Sequence, residues 1–381
     1  MKPADVVVIG GGVVGLSVAY HLAKRGAGRV VLLEREPFLG TGSTGKCAGG
    51  IRQQFSSIAN VKVSMESVAF LEHFEEITGA PLDFQQNGYL FLLATPEHLT
   101  HFKANMEMQK SLGLDVRLLN PSQARDIVSV LNVDDILGAS FCPTDGLVSP
   151  NDMTMGFAKA ARDHGVEILL ETGATGIEME SGRVKAVHTS RGRLETRAVV
   201  NAAGPHARAV AEWAGVDLPV YPVRRHIFTT RPLPFVSVKF PMVVDFVSGV
   251  YMHQESGGML LGLADKDEPY GFNEEVNWDF LERIIEPAVH RIPQLEQAEV
   301  VTGWAGLYED TPDHNAVLGP VPDAPGLFLA NGFSGHGLMH APAAGRIVAD
   351  SVVNGFLEAG METLGFERFA LGNVPAEANV I

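Results

Sequence analysis

Cysteine is nearly absent: Cys47 and Cys142 are the only two in 381 residues, too few for a disulfide framework or a CxxC metal site, so the cytoplasm is the expected compartment. No apolar run approaches the roughly 20 residues needed to cross a bilayer. The run Val6 to Ile9 is too short for a signal h-region and leads straight into glycines, so it reads as a strand. Positive charge is scarce as well. The 29 Lys and Arg against 45 Asp and Glu leave a formal net charge of -16, which argues against nucleic-acid binding because phosphate repulsion would have to be overcome locally. The 13 histidines are scattered, and no metal centre is expected.

Glycine and apolar residues are plentiful. With 46% hydrophobic residues the chain can bury a large core in one or two domains. The opening "DVVVIGGGVVGLSVAYHLAKRGAGRVVLLERE" reads as strand, glycine turn, helix and strand. Gly10, Gly12 and Gly15 stand in GxGxxG spacing: a tight turn, a backbone that a pyrophosphate can approach, and close helix–sheet packing. Unpaired N–H groups at the helix start then face the phosphate. Glu34, 19 residues after Gly15, is placed to accept hydrogen bonds from ribose hydroxyls. Strand, glycines, helix, strand and acid in that order mark a dinucleotide site, without separating NAD from FAD.

The next loop, "TGSTGKCAGGIRQQF" (41–55), combines four glycines with two cations, more backbone freedom than a surface loop needs. Helical periodicity follows over 62–78, a strand in "NGYLFLLATPEHL", a helix from Pro96 and another over 151–164. Short strands with Ser181-Gly182 and Arg191-Gly192 turns lead to a second strand–glycine–helix junction at Ala203-Gly204. Residues 221 to about 301 alternate as in an antiparallel sheet. The closing "LFLANGFSGHGLMHAPAAGRIVADSVVNG" brings a third glycine cluster, Gly332, Gly335 and Gly337, before a last helix that begins either at Gly337 with a kink or at Pro342.

Three glycine contacts spread along the chain suit one long cofactor. Here the sequence resembles the D-amino-acid oxidase-like flavoproteins, in particular the β subunits of sarcosine oxidase and of dye-linked L-proline dehydrogenase. The resemblance lies in "VVVIGGGVVGLSVAYHLAKRG", "GSTGKCAGGIRQQF", "NGYLFLL", "VVNAAGPHA", "WAGLYEDTPDHNAVLG" and "GFSGHGLMHAPAAG". It implies an α/β fold in which an FAD-binding Rossmann-like domain of the glutathione-reductase type (1–80, 145–218, 325–360) is interleaved with an antiparallel-sheet α+β substrate domain (81–144, 219–324), followed by a tail (361–381). The implied FAD contacts are Gly10, Gly12, Val14, Gly15, Glu34 and Arg35; Ser43, Thr44, Lys46, Ala48, Gly49, Gly50 and Ile51; Ala174, Ala203 and Gly204; and Gly332, Ser334, Gly335, His336, Gly337, Leu338 and Met339. No cysteine follows Tyr308, and Pro150 stands where sarcosine oxidase β subunits carry their FMN-linking histidine, so FAD is expected to be non-covalent. An FMN at a subunit interface stays open.

The implied reaction moves a hydride from an amino acid to flavin N5 and leaves an imine, so a clamp for the substrate carboxylate is expected. Tyr308 stands where glycine oxidases carry an arginine, and Met339 where monomeric sarcosine oxidases carry a lysine. Arg52, Lys46 and Arg225 remain as cations, and Arg52, Tyr251, Tyr308 and His336 are the catalytic candidates; His253 and Trp304 are weaker ones. A flavin or buried-acid partner for Arg52 and a core role for Tyr251 are the competing readings. The expected substrate is a small secondary amino acid such as sarcosine or L-proline. The alternatives are a 2-hydroxy acid or glycerol phosphate on the same fold, or an electron-transfer subunit without a substrate. Met259 and Leu260 are apolar near the place where monomeric sarcosine oxidases carry a lysine above the flavin, which favours a dehydrogenase. The expected partners are the substrate and either an electron-accepting subunit or further copies of the chain.

Overall fold

The computed structural model describes residues 1–372 and 375–380. Its first sheet grows from Val6–Ile9, a strand with every side chain buried. A strand with no polar position needs cover on both faces. Val6 and Val8 accordingly join one apolar cluster with Val30, Leu32 and Val200, and Val7 and Ile9 join another with Val31, Leu33 and Val199. Parallel pairing places it between Val30–Leu33 and Ala198–Asn201. The full order is 317–320, 327–331, 198–201, 6–9, 30–33, 167–169, antiparallel only at 317–320. Helices Val13–Lys24, Ile58–Glu72, Pro150–Asp163 and Gly337–Asn354 cover one face. The other is covered by the three-stranded antiparallel sheet 174–180, 183–189, 192–195 and the helix Ala207–Glu212.

A second sheet of eight strands runs 300–310, 221–230, 258–263, 251–255, 242–245, 89–93, 138–142, 117–119. It is antiparallel apart from the pair Tyr89–Leu93 and Met242–Asp245. Leu90, Leu92, Phe228, Met252 and Leu261 pack on one face against the helix Phe280–Arg291. On the other face Phe91, Leu93, Ile227, Tyr251 and Leu260 meet Ala48 from the glycine loop. The chain is thus an α/β Rossmann-like unit interleaved with an antiparallel α+β unit, and the second unit's inner face looks onto the loops of the first. No helix among the described residues is long and apolar enough to cross a membrane.

Two helices differ from the sequence pattern. The periodicity over 62–78 divides into Ile58–Glu72 and Phe74–Thr78, because His73 leaves helical geometry at φ -113°, ψ 20°. The first starts early because the Ser57 side chain caps it by accepting from the Asn60 amide. The last helix begins at Gly337 and carries Pro342 inside it. Proline removes one donor from the ladder, and the next amide, Ala343 N–H, donates to Ser67 Oγ of the neighbouring helix at 3.2 Å.

That last helix crosses Val13–Lys24 through Gly345, where an added Cβ would overlap Ser17 Oγ and lie 2.8 Å from the Ser17 carbonyl carbon. Backbone cannot step aside cheaply in a close-packed interior. Gly345→Val is expected to destabilise the protein by about 1–3 kcal/mol, read as a lower urea midpoint at unchanged m-value.

Candidate active site

Between the glycine turns of the first sheet and the inner face of the second lies a cavity of about 780 Å³, within the size range of sites that enclose a large small molecule. Its backbone wall is set by tight packing: a Cβ at Gly10, where φ is +119°, would overlap the Ala202 carbonyl oxygen, and one at Gly15 would overlap the Gly10 oxygen. Two helix N-termini open on it, at Val13 and Gly337. Neither has an N-cap side-chain bond or an acidic residue in its first turn, so their first-turn N–H groups, apart from that of Val13, are available to an anion. Glu34 lines the same cavity; it accepts from the amides of Gly11 and Glu36, both at 2.8 Å. Thr44 Oγ1 accepts from Val13 N–H at 3.3 Å, and Ser43 Oγ donates to the Leu307 carbonyl at 2.6 Å, tying the glycine loop to both walls. A cavity with anion donors at two helix starts and a carboxylate in its wall fits a dinucleotide such as FAD.

Tyr251 and Tyr308 also line a second, smaller cavity of about 50 Å³, together with Arg52, Tyr89, Met242, His336 and Met339. Arg52 is 1% exposed. It donates to the Gln54 carbonyl at 2.9 Å and meets His336 Nε2 at 3.1 Å, while its Nε has no partner. Its flat face lies on the Phe55 ring, 4.2 Å from the centroid. Burial lowers its pKa, opposed by Tyr89, Glu377 and Asp145, but a guanidinium keeps its charge. Because His336 Nε2 accepts from a permanent cation, the ring carries its proton on Nδ1. Burial, and then Arg52, holds its pKa well below the usual histidine value, so it is neutral. Burial raises the phenols of Tyr89, Tyr251 and Tyr308, so all three stay protonated. Their rings sit where Gly50, Gly262 and Gly335 leave room, since a Cβ at any of these glycines would collide with the ring or hydroxyl above it.

Most of the expected cofactor residues come together. Gly10, Gly12, Val14, Glu34, Arg35, Ser43, Thr44, Lys46, Ala48, Ala174, Ala203, Gly204, Gly335, Gly337 and Leu338 line the large cavity, and Gly49, Gly50, Arg52, His336 and Met339 the small one. Four do not line either. Gly15 serves helix packing, Ile51 is fully buried in the core, Gly332 packs on Thr311, and Ser334 Oγ accepts from the Thr311 amide. Lys46 is paired with Glu274 at 2.7 Å. Arg225 lies over the Tyr308 ring, 5.2 Å from its centroid, with its Nε unpartnered. His253 and Trp304 line neither cavity: His253 Nδ1 meets the Gln254 carbonyl and Trp304 Nε1 donates to the Lys46 carbonyl. His336 and His340 stand four apart, but one ring meets Arg52 and the other Ser64, so they do not converge on an ion. Sequence reasoning missed Tyr89, Glu309 and Asp145. Nothing in a buried strand separates Tyr89 from a core aromatic, and Asp145 is isolated in "FCPTDGLVSP". Asp145 is fully buried and accepts from Gln53 N–H at 2.8 Å, Gln53 Nε2 at 3.1 Å and Gln54 Nε2 at 3.0 Å, fixing the residues after Arg52.

Comparison with known proteins agrees with this geometry. The chain is 33% identical to the FAD-dependent oxidoreductase domain-containing protein 1 of Xenopus laevis, over 99% of this chain and 85% of that one. It is 31% identical to the mitochondrial sarcosine dehydrogenase of Mus musculus over 96% of its length, spanning only 41% of that longer protein. The crystal structure of L-proline dehydrogenase from P. horikoshii superposes with a TM-score of 0.91 at 34% identity, covering 98% of this chain and 99% of the other. Residues 5–351 match the family described as FAD dependent oxidoreductase, and the chain belongs to it.

Proposed function

We propose that the protein oxidises a small secondary amino acid, of the sarcosine or L-proline type, to its imine. The observation that carries this reading is Arg52, a buried guanidinium with no carboxylate partner among the described residues, facing a cavity of about 50 Å³ that shares Tyr251 and Tyr308 with the FAD cavity. The names of the similar proteins, sarcosine dehydrogenase and L-proline dehydrogenase, support the amino-acid class. When bound, FAD supplies the two-electron acceptor. Arg52 holds the substrate carboxylate by charge-assisted hydrogen bonds. The small cavity presents one cation, a neutral His336 and three neutral phenols. Such a field favours a substrate of net charge -1, with a free carboxylate and an unprotonated amine, over the zwitterion. Only the unprotonated nitrogen has the lone pair that becomes part of the C=N bond. Tyr89, Met242 and Met339 line the same cavity and on this reading shield the reacting carbon from water.

In the holoenzyme under anaerobic conditions, sarcosine or L-proline is expected to bleach the flavin, and lactate and glycerol 3-phosphate to leave it oxidised. Bleaching by a hydroxy acid alone would transfer the function to that class, and no bleaching at all would favour an electron carrier. With the productive amine, peroxide yield is expected to be small beside dye reduction. Arg52→Met is expected to raise the half-saturating amine concentration on the order of 100-fold with FAD content unchanged; an unaltered value would remove Arg52 as the clamp.

Glu309 adds a pH dependence. It lines the FAD cavity, burial raises its carboxyl to about 7, and Oε2 has no partner. Below that pH the group is neutral; above it an anion stands in a cavity that must accept an anionic cofactor. FAD affinity of the apoprotein is expected to weaken as pH rises from 6 to 8, and Glu309→Gln to abolish the trend, measured by fluorescence titration. An equally steep dependence in Glu309→Gln would assign the effect elsewhere.

A further inference from the structure

Residues 52–55, which follow the two-residue strand Gly50–Ile51, belong to no helix or strand. A buried segment without regular partners must find each hydrogen bond elsewhere. Gln109 Nε2 donates to the Phe55 carbonyl at 2.8 Å, and Asp145 holds Gln53 and Gln54. The remaining ties come from the far end of the chain. Glu377, 2% exposed, accepts from Ser56 N–H at 2.8 Å, Ser56 Oγ at 2.6 Å and Asn60 Nδ2 at 2.9 Å. Asn379, fully buried, donates from Nδ2 to the Gln54 carbonyl at 3.1 Å, the same oxygen that accepts from Arg52 at 2.9 Å. Glu377 also orders Asn379 by accepting its amide at 3.0 Å. The Asn379 Oδ1 is oriented in turn by His101 Nε2 at 3.1 Å.

We infer that Glu377 and Asn379 are positioning residues for the active site: the C-terminal segment is a strap that fixes the carbonyl on which Arg52 rests, and so sets the affinity for a carboxylate substrate. This rests on the reading of Arg52 as the carboxylate clamp. Two features set the strap apart from ordinary packing. A carboxylate this buried is costly unless its acceptors are used, and three of its four donors, Ser56 N–H, Ser56 Oγ and Asn60 Nδ2, belong to the segment just after Arg52. In addition, Asn379 and Arg52 share one acceptor, so removing the amide leaves Arg52 as that carbonyl's one hydrogen-bond donor among the described residues. Neither residue touches the cavities, so the effect must pass through Gln54 and Arg52.

The test uses the full-length holoenzyme and L-tetrahydro-2-furoate, which keeps the ring and carboxylate of proline but has no N–H to oxidise. Its dissociation constant is read from the perturbed flavin spectrum, beside FAD content, amide hydrogen exchange over residues 53–61 and the limiting rate of anaerobic reduction. Glu377→Ala and Asn379→Ala are expected to keep FAD, to weaken the probe on the order of ten-fold or more, to exchange faster over 54–57 and to leave the limiting rate close to wild type. Glu377→Gln retains an oxygen for the Ser56 and Asn379 donors and is expected to restore most of the affinity. If Glu377→Ala loses FAD, Asn379→Ala decides by the same dissociation constant. Wild-type probe affinity in Asn379→Ala, or a loss that Glu377→Gln does not restore, overturns the strap. When Arg52→Met loses the probe and the tail variants do not, the strap alone falls. When Arg52→Met binds it as wild type does, or the wild type shows no perturbation, the clamp and the strap fall together.

Discussion

A single desolvated cation governs the active-site half of this molecule. Taking a guanidinium out of water costs several kcal/mol unless its surroundings answer, and Arg52 is 1% exposed with no carboxylate among the described residues bonded to it. The surroundings answer indirectly. One carbonyl accepts a hydrogen bond, a neutral imidazole accepts another, the Phe55 and Phe91 rings present their faces, and the charges of Glu377 and Asp145 act from one shell further out. A direct carboxylate partner would have neutralised the site. Keeping the acids at a remove holds the cation in place while leaving its strongest interaction for an incoming anion.

The fold places that cation in the small cavity, which shares part of its lining with the large one. The Rossmann-like sheet delivers two uncapped helix starts and Glu34 along one cavity. The second sheet supplies Tyr251 and Tyr308 from strands that pack against the glycine loop. Those two phenols, seated over Gly262 and Gly335, line both cavities together with Cys47, Ala48, Gly335 and Leu338. Close approach of backbone recurs at each such point, which is why glycine marks the site in three separate parts of the sequence.

Those glycines are also why the cofactor half was legible from sequence. Gly10, Gly12, Gly15 and Glu34 act through local spacing, and local spacing is what a sequence displays. Ile51 and Ser334 show the limit of that reading: they lie inside cofactor-like stretches, yet an alternation within the loop turns one into the core and the hydroxyl of the other onto Thr311. Arg52 was visible as a cation, but its lack of an ion-pair partner is a property of the folded surroundings. Tyr89 sits in an apolar strand where no pattern distinguishes a pocket residue from a core one. The role of the tail was not legible, because its partners around Arg52 lie more than 300 positions away. Pro342 left two helix starts open; the structure keeps Gly337, with Ser67 supplying an acceptor beside the proline.

The departures at Tyr308 and Met339 acquire a physical meaning in this frame. Where glycine and sarcosine oxidases are expected to place a second cation on the substrate carboxylate, this chain places a phenol and a thioether, both neutral. On the proposed reading, one buried positive charge faces one substrate carboxylate and leaves no net charge to hold a protonated amine. A second cation in the small cavity would permit a second anionic group, so on that reading its absence favours a monocarboxylate. Met242, Met339 and Tyr89 also line this cavity, and on the proposed reading such a wall discriminates by roughly 1–3 kcal/mol for each methylene it cannot accommodate. On that reading, charge selects the head group and shape selects the size.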